Sequence, residues 1–491
     1  MEFEMPHVCM VIEGAYPYIT GGVSAWCHQL ILEIPDVDFT LLVILPASYR
    51  GKDYKYKFPK NVKDVHEIWL DENYFHRKSI SKNSNIKQFF FKEILNFHIS
   101  MKLKNYGFFR IISELLTQNE KLTLTLEDLT RSKEAIGTLF KIYEEMDSRS
   151  EFMQYFWTWK STHLPLLRII NYPLPKADMY HAVSTGFAGC IAALAKLKFD
   201  IPFILTEHGI YAMEREDELR DSEQIDDDYK QLWINYYHSL CRISYSFADK
   251  IITLYRGNQF IEIANNANID KTEIIPNGVD IELYSSLKKT TSPDKIIVGT
   301  VVRVVPIKDV KTFIKAAAIA AKVIQNAEFH IIGPTDEDED YFKECKELVQ
   351  ELHIHDRIVF TGRVKMTEYY PKIDILVLTS AREAQPLVLL EGMCVGMPTI
   401  ASDVGCCKEM LKDIGFITRP GSPEETAEAI IKLCENERLR KELTIKGKEM
   451  VKLKYDVKDV IERYHQIYHK FSDENKKYQL VKNGGNWIPI T

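Results

Sequence analysis

The chain has 491 residues, of which 45% are apolar and 27% charged, with a formal net charge of −7. At roughly 100–200 residues per domain this is enough for two or three domains with buried cores, and the acidic balance argues against a nucleic-acid binder, which carries a basic face. No apolar stretch approaches the roughly 20 residues that cross a bilayer, and the opening MEFEMPHVCMVIEG lacks the basic start and cleavage site of a secretory signal.

From the N-terminus, short apolar runs alternate with amphipathic stretches, the pattern of a parallel sheet with helices on both faces. His7–Ile12 is expected as a strand, Gly21–Ile34 as a turn opening into a helix, and Phe39–Leu45 as a second strand. Regularity weakens between about residues 49 and 172, which suggests inserted helices and loops such as Leu126–Met146. Strands are expected again at Met179–Val183, Phe203–Thr206, Ile251–Leu254 and Glu273–Ile275, with a helix from Gly186. The polar stretch Lys288–Asp294 suits a linker. A second series follows at Ile296–Val302, Phe329–Ile332, Ile358–Thr361, Ile375–Leu378 and Thr399–Ala401, and a last helix at about Val457–Phe471. The expected division is an N-terminal Rossmann-like domain over 1–287 with a helical insertion at about 50–172, a C-terminal Rossmann-like domain over 295–455, and a helix and tail over 456–491 packing back on the first. Ligands of such sheets bind outside the carboxyl ends of the strands, so two facing domains would share one interdomain cleft.

Two charge runs stand out. Residues 77–110 carry Arg77, Lys78, Lys82, Lys87, Lys92, Lys102, Lys104 and Arg110 against Glu93, interleaved with phenylalanines, a mix that suits a membrane surface or protein partner as well as solvent. Residues 214–228 carry nine acids and are expected to be solvated. The nine cysteines show no CxxC pair, as in a reduced, cytosolic protein, and no Cys/His clustering of a zinc site is visible.

The richest chemical segment is EAQPLVLLE, Glu383 to Glu391, after the strand Ile375–Leu378. Pro386 suits the first turn of a helix. The free N–H groups of Leu387 and Val388, with the helix dipole, would then make an anion site fit for a diphosphate. Glu391, about one turn further, could accept two hydrogen bonds from a ribose diol, and Glu383 could hold a sugar hydroxyl. Arg303 and Lys308 follow the strand ending near Val302 and could neutralise a leaving diphosphate, the first as a fork and the second as a point charge. Gly21-Gly22 follows the first strand, where a phosphate loop belongs. His208, in Thr206-Glu207-His208-Gly209, is a candidate contact to sugar or acceptor, or a structural histidine. Gly362-Arg363, Asn277-Gly278 and Glu409 are lesser candidates. A metal-dependent transferase would need Asp-x-Asp at a strand end; Asp36-Val37-Asp38 precedes a strand, and Asp226–Asp228 and Asp336–Asp340 are read as solvated loops.

Arg303 and Lys308, then Glu383-x7-Glu391, then the Gly405…Glu409 turn, resemble the retaining glycosyltransferases of family 4 over roughly residues 295–455. The resemblance implies the α/β GT-B fold. It implies that Arg303 and Lys308 hold the donor diphosphate, that Glu391 binds ribose and Glu383 lies by the donor sugar, that Gly21-Gly22 completes the phosphate site and that His208 is the N-domain active-site histidine. The opening VCMVIEGAYPYITGGVSAWCHQLI and TEHGIY resemble the branch of that family that makes exopolysaccharide in the cytoplasm. This resemblance implies a UDP-sugar donor and a membrane synthase complex as partner. An oligosaccharide or polysaccharide acceptor and a cytoplasmic location, at or near the membrane face, are expected, and with the phosphates neutralised by Arg303, Lys308 and backbone dipoles neither metal nor other cofactor is expected. Val302 and Cys406-Cys407 depart from the glycines common in the family. Alternatives are a nucleotide-sugar 2-epimerase and a non-catalytic nucleotide-sugar sensor.

Overall fold

The computed structural model describes residues 5–14, 16–72, 88–89, 91–96, 131–145, 151–170, 172–222, 225, 227–290 and 294–482. Most of the basic run at 77–110, part of the acidic run including Asp226, and the end of the chain lie outside the described residues. The chain forms two compact units, residues 1–274 with 463–491, and 275–462. The second therefore begins at Ile275, ahead of the polar stretch Lys288–Asp294, and takes Ile275–Leu287 from the half to which the sequence reading gave it.

The first unit is built on a seven-stranded sheet, all parallel, in the order β3-β2-β1-β4-β5-β6-β7. Its strands are β1 (His7–Glu13), β2 (Asp38–Leu45), β3 (Val62–Trp69), β4 (Met179–Ala182), β5 (Phe203–Glu207), β6 (Lys250–Thr253) and β7 (Thr272–Ile274). The central strands are nearly continuous apolar runs because helices cover both faces. β3 is a correction to the insertion expected from residue 50: it is an edge strand with much of its length accessible, so its sequence VKDVHEIW is too polar to stand out. The helix Gly186–Phe199 is buried over its first ten residues and packs on Asp227–Phe247. A side chain at Gly189 would meet Ser244 Oγ at 2.1 Å, which is how closely these two helices approach. Helices Lys133–Glu145 and Phe152–Ile170 complete this core through Leu139, Tyr155 and Trp159.

The second unit has a six-stranded parallel sheet in the order β10-β9-β8-β11-β12-β13. Its strands are β8 (Ile296–Val301), β9 (Ala327–Ile332), β10 (Ile358–Gly362), β11 (Ile375–Leu378), β12 (Thr399–Ser402) and β13 (Phe416–Thr418). β13, only three residues long, escapes a reading by periodicity. In each sheet the order reverses beside the first strand, between β1 and β4 and between β8 and β11. Crevices at such switch points take ligands.

The last helix runs Val457–Lys482, eleven residues beyond its expected end at Phe471. Its second half is polar, but Asn475 Nδ2 donates to Asp178 O at 2.9 Å and Tyr478 to Asp200 Oδ2 at 2.9 Å, so polar bonding carries it onward. Among the described residues no helix is long and apolar enough to cross a membrane.

Candidate functional site

In the second unit the switch point is flanked by the segments leaving β8 and β11. After β8 the chain makes a single turn at Pro306–Lys308 and enters the helix Val310–Ala321, capped by Asp309. After β11 the loop Thr379–Gln385 leads into the helix Leu387–Val395. Hydrogen bonds sew the two together: Ala381 N donates to Ile307 O at 2.9 Å, and Thr379 Oγ1 to Asp309 O at 3.0 Å. Ser402 Oγ donates to Ser380 O at 2.6 Å and Cys406 N to Ala384 O at 2.9 Å. Gln385 accepts from Asn277 N at 2.7 Å and donates to Asn277 O at 3.3 Å. Every flank of the loop is thus tied to a neighbouring element, which makes it a rigid platform for charge.

On that platform Lys308 Nζ lies 2.5 Å from Glu383 Oε1, and Ser380 Oγ donates to the same oxygen at 2.7 Å. Both charged side chains are mostly buried, at 19% and 13% exposure. Lys308 and Glu383, 75 positions apart, are brought together as a pair; the Ser380 hydroxyl beside them was not singled out from the sequence. Gly405 sits beneath, at φ +53°, and a Cβ there would stand 2.1 Å from Glu383 O. Cys406 and Cys407, where glycines are common in the resembled family, are buried beside it.

Pro386 is a correction in detail: it stands just outside the helix as its cap residue, and the helix begins at Leu387. The first bond back is Leu389 N to Pro386 O, which leaves the N–H groups of Leu387 and Val388 at the free positive end. Glu391, one turn in, accepts a hydrogen bond from Tyr370 Oη, and the Tyr284 phenol stands near enough to act on its carboxyl. Burial holds its carboxyl above the usual range, and the two phenols offset part of that. A carboxylate has about four acceptor positions, so two phenols leave room for a diol. Neither tyrosine was singled out from the sequence, because neither spacing nor composition links residues 284, 370 and 391.

Arg303 is not gathered onto Lys308. Its guanidinium donates to Glu337 at 2.8 Å and is 55% exposed. Arg363, after Gly362 at the end of β10, pairs with Asp336 at 3.0 Å. The acidic run Asp336–Asp340, expected to be merely solvated, therefore partners two arginines, and Asp338 caps the helix Glu339–Glu351 through Tyr341 N. The run at 214–228 is likewise paired where described, Arg215 with Glu218 and Arg220 with Glu216.

In the first unit Gly21 and Gly22 open the helix Gly22–Glu33 with free space where side chains would stand, so packing does not require glycine at either. His208 follows β5, its ring edge-on to Trp26 at 4.6 Å between centroids. Burial lowers its pKa to about 4, so the ring is neutral, and Nε2 is buried with no hydrogen-bond partner among the described residues. Glu13, missed from the sequence, ends β1 and reaches across the switch point: its Oε2 accepts from Phe187 N at 3.0 Å and Ala188 N at 3.4 Å. The positive end of the helix Gly186–Phe199 is therefore filled by the chain's own carboxyl.

Asp36, dismissed from the sequence as an Asp-x-Asp at the wrong strand end, is joined by His465 and His469, so three possible metal ligands do meet in the fold.

Comparison with known proteins places this geometry. Residues 6–270 match the family described as Domain of unknown function (DUF3492), and residues 285–450 match Glycosyl transferases group 1. An uncharacterized glycosyltransferase, MJ1178, of Methanocaldococcus jannaschii is 29% identical over 306 residues, 60% of this chain and 76% of that protein. N-acetyl-alpha-D-glucosaminyl L-malate synthase of Bacillus anthracis is 29% identical over 137 residues, 27% of this chain and only 36% of that enzyme. Anabaena Alr3699/HepE, solved in complex with UDP and glucose, superposes with a TM-score of 0.58 at 16% identity, covering 94% of this chain and 99% of that one. Sucrose-phosphate synthase of Thermosynechococcus elongatus gives 0.58 at 16% identity, covering 95% and 98%. At such identities these structures speak for the fold, which is GT-B. Matched over more than half its length, the chain belongs to the DUF3492 family, and its second half carries a glycosyltransferase domain that matches group 1.

Proposed function

We propose that this protein is a retaining, metal-independent glycosyltransferase that moves a sugar from a UDP-sugar onto a growing exopolysaccharide. The observation that carries the reading is the platform Thr379–Gln385, which sets Lys308, Glu383 and the open end of the helix Leu387–Val395 side by side at the switch point of the second sheet.

In the proposed reaction the acceptor hydroxyl oxygen bonds to the anomeric carbon. The bond to the donor diphosphate breaks with its electron pair on the phosphate oxygen, which takes the acceptor's proton on the same face. Lys308 and the Leu387 and Val388 N–H groups stabilise the charge that develops there, and fixed charge of this kind is commonly the largest catalytic term. Arg303 joins them by leaving Glu337. An exposed ion pair is worth about 0–1 kcal/mol, so a diphosphate outcompetes it readily. Glu391 takes the ribose diol and Glu383 the sugar. By resemblance, Gly21-Gly22 and Gly362 contribute backbone approach to phosphate, and His208 contributes a neutral imidazole to the sugar or acceptor. Metal independence is proposed because Lys308, Arg303 and the Leu387 and Val388 N–H groups would themselves supply the positive charge that a diphosphate needs.

The acceptor and partner rest on the N-terminal segments VCMVIEGAYPYITGGVSAWCHQLI and TEHGIY. These resemble PelF, the cytosolic glycosyltransferase of Pel exopolysaccharide synthesis, which works with a membrane synthase complex. The donor sugar is taken as glucose or an N-acetylhexosamine, and the Anabaena neighbour solved with UDP and glucose makes UDP-glucose the first to try.

The test is calorimetric titration with UDP and a panel of UDP-sugars, with and without chelator. Binding of UDP and one UDP-sugar, unchanged by chelator, is expected. Glu391→Ala should lose roughly 2–4 kcal/mol of it, two charge-assisted bonds less their non-additivity. Full affinity in that variant would remove Glu391 from the donor site. Failure to bind any nucleotide would overturn the whole reading. Incubation with donor and acceptor should lengthen the glycan; release of nucleotide and a 2-epimerised free sugar would instead mark an epimerase.

A further inference from the structure

The last helix carries two histidines, His465 and His469, four positions apart. The helical period puts residues so spaced on one side, one turn above the other, and their ring centroids lie 4.3 Å apart. Facing them is Asp36, in the turn between the helix Gly22–Glu33 and β2, more than 400 positions earlier in the chain. Asp36 Oδ2 lies 2.8 Å from His465 Nε2 and 3.1 Å from His469 Nε2. All three residues belong to the first unit, and none is shared with the Lys308–Glu383 platform.

We propose that Asp36, His465 and His469 form a binding site for one divalent transition-metal ion of the zinc type. Three facts on the molecule favour an ion over a simple ion pair. Both imidazoles present the same atom, Nε2, to a single carboxylate oxygen, so three ligand atoms converge on one point. These atoms all lie within 4.8 Å of one another. With metal–ligand bonds of about 2.0–2.2 Å, tetrahedral neighbours stand about 3.3 Å apart, so the present 2.8 and 3.1 Å need open by only a few tenths of an ångström. The side chains are also accessible, at 31%, 38% and 50% exposure for His465, His469 and Asp36, which leaves an entry path and a fourth position for water. Two imidazoles and one carboxylate suit zinc, cobalt, nickel or copper and not calcium or magnesium, which prefer an all-oxygen shell. A bound ion would fasten the last helix to the turn before β2, adding to the Asn475 and Tyr478 hydrogen bonds that seat its far end.

The experiment uses the full chain, without an affinity tag, stripped by chelator and dialysed. It is titrated with Co²⁺ and then with Zn²⁺, with Mg²⁺ as control. One equivalent of Co²⁺ is expected to bind with the visible absorption of a four- or five-coordinate ion, which Zn²⁺ abolishes and Mg²⁺ does not. His465→Gln, His469→Gln and Asp36→Asn should each weaken binding by at least about tenfold, since even changes outside the ligand shell cost that much. Zn²⁺ should raise the thermal midpoint of the parent chain and leave that of the His465→Gln/His469→Gln chain unmoved, because an ion that binds only the folded state stabilises it. The replaced side chains are accessible, and circular dichroism verifies that the variants fold. Binding that survives these substitutions overturns the assignment. So does a parent chain that takes up no Co²⁺, even if the variants are less stable, since that outcome leaves an ion pair only.

Discussion

Glu207 closes β5 with its carboxyl fully buried, accepting from Thr185 Oγ1 at 2.9 Å, Tyr211 N at 3.1 Å and Tyr245 Oη at 2.5 Å. Glu262, on the helix Arg256–Ala264, is equally buried, and neither of its oxygens finds good hydrogen-bond geometry among the described residues. Burial drives both carboxyls above the usual carboxylate range, and the charge of Glu207 raises Glu262 further. The folded chain therefore keeps protons that the unfolded chain gives up above about pH 4.5. Stability from this pair is fully present below that value and is lost as pH rises. A carboxyl whose titration moves by one pH unit on folding carries about 1.4 kcal/mol. Glu262→Gln should thus raise the unfolding free energy read from urea titration at pH 8 by that order or more and leave it nearly unchanged at pH 4. A variant no more stable than the parent at pH 8 would show that the pair is already relieved. Nothing in the sequence marks this pair, since Glu207 and Glu262 look like two ordinary acids 55 positions apart. His208, next to Glu207, was legible because it follows a strand end, yet its orphan Nε2 depends on what surrounds it.

At the scale of elements, the loop Thr379–Gln385 and the Gly405 turn behave as one piece. Gly405 has a left-handed backbone that costs other residues about 1–2 kcal/mol, and any side chain there strikes Glu383 O. Gly405→Ala is therefore expected to displace Glu383 from Lys308. A 1 Å misplacement at a reacting centre can cost on the order of 10²-fold in rate, so turnover should fall by about that factor with the far-ultraviolet dichroism retained. Unchanged turnover would separate the turn from the site. The motif Glu383-x7-Glu391 was readable because a strand, a short loop and a proline-led helix leave their marks within one stretch of chain. The stitching was not, because Asn277, Ile307, Asp309 and Ser402 meet the loop through backbone atoms and hydroxyls that any sequence offers. β3 went unread for a different reason: an edge strand needs no continuous apolar run.

Across the whole molecule, the first unit is completed only by the end of the chain. Tyr464 and Tyr468 of the last helix are buried at 1% and 0% exposure. Tyr468 Oη bonds His181 Nδ1 at 2.7 Å, and Tyr464 Oη bonds Thr206 Oγ1 at 3.1 Å. His181 is fully buried, and burial lowers its pKa to about 3, so it stays neutral and relies on these partners. Tyr468→Ala should cost about 3–5 kcal/mol, as large aromatic truncations in cores do. A chain ending at Glu462 should lose cooperative unfolding of the first unit in a denaturant titration. If that shortened chain unfolds as the parent does, the helix is an attachment and not part of the core.

Taken by itself, the sequence determined two α/β halves, the strands buried at their centres, and the Glu383-x7-Glu391 segment at the end of β11, because each of these is written in contiguous residues by local periodicity and by a helix start. Only the tertiary structure decided which side chains share a point in space. Lys308 meets Glu383 across 75 positions, Tyr284 and Tyr370 converge on Glu391, Arg303 turns to Glu337, and Asp36 meets His465 and His469. Such meetings depend on strand order and on where the last helix lies, and a parallel sheet in which the third strand is outermost and the first is central brings together residues that nothing in their spacing connects.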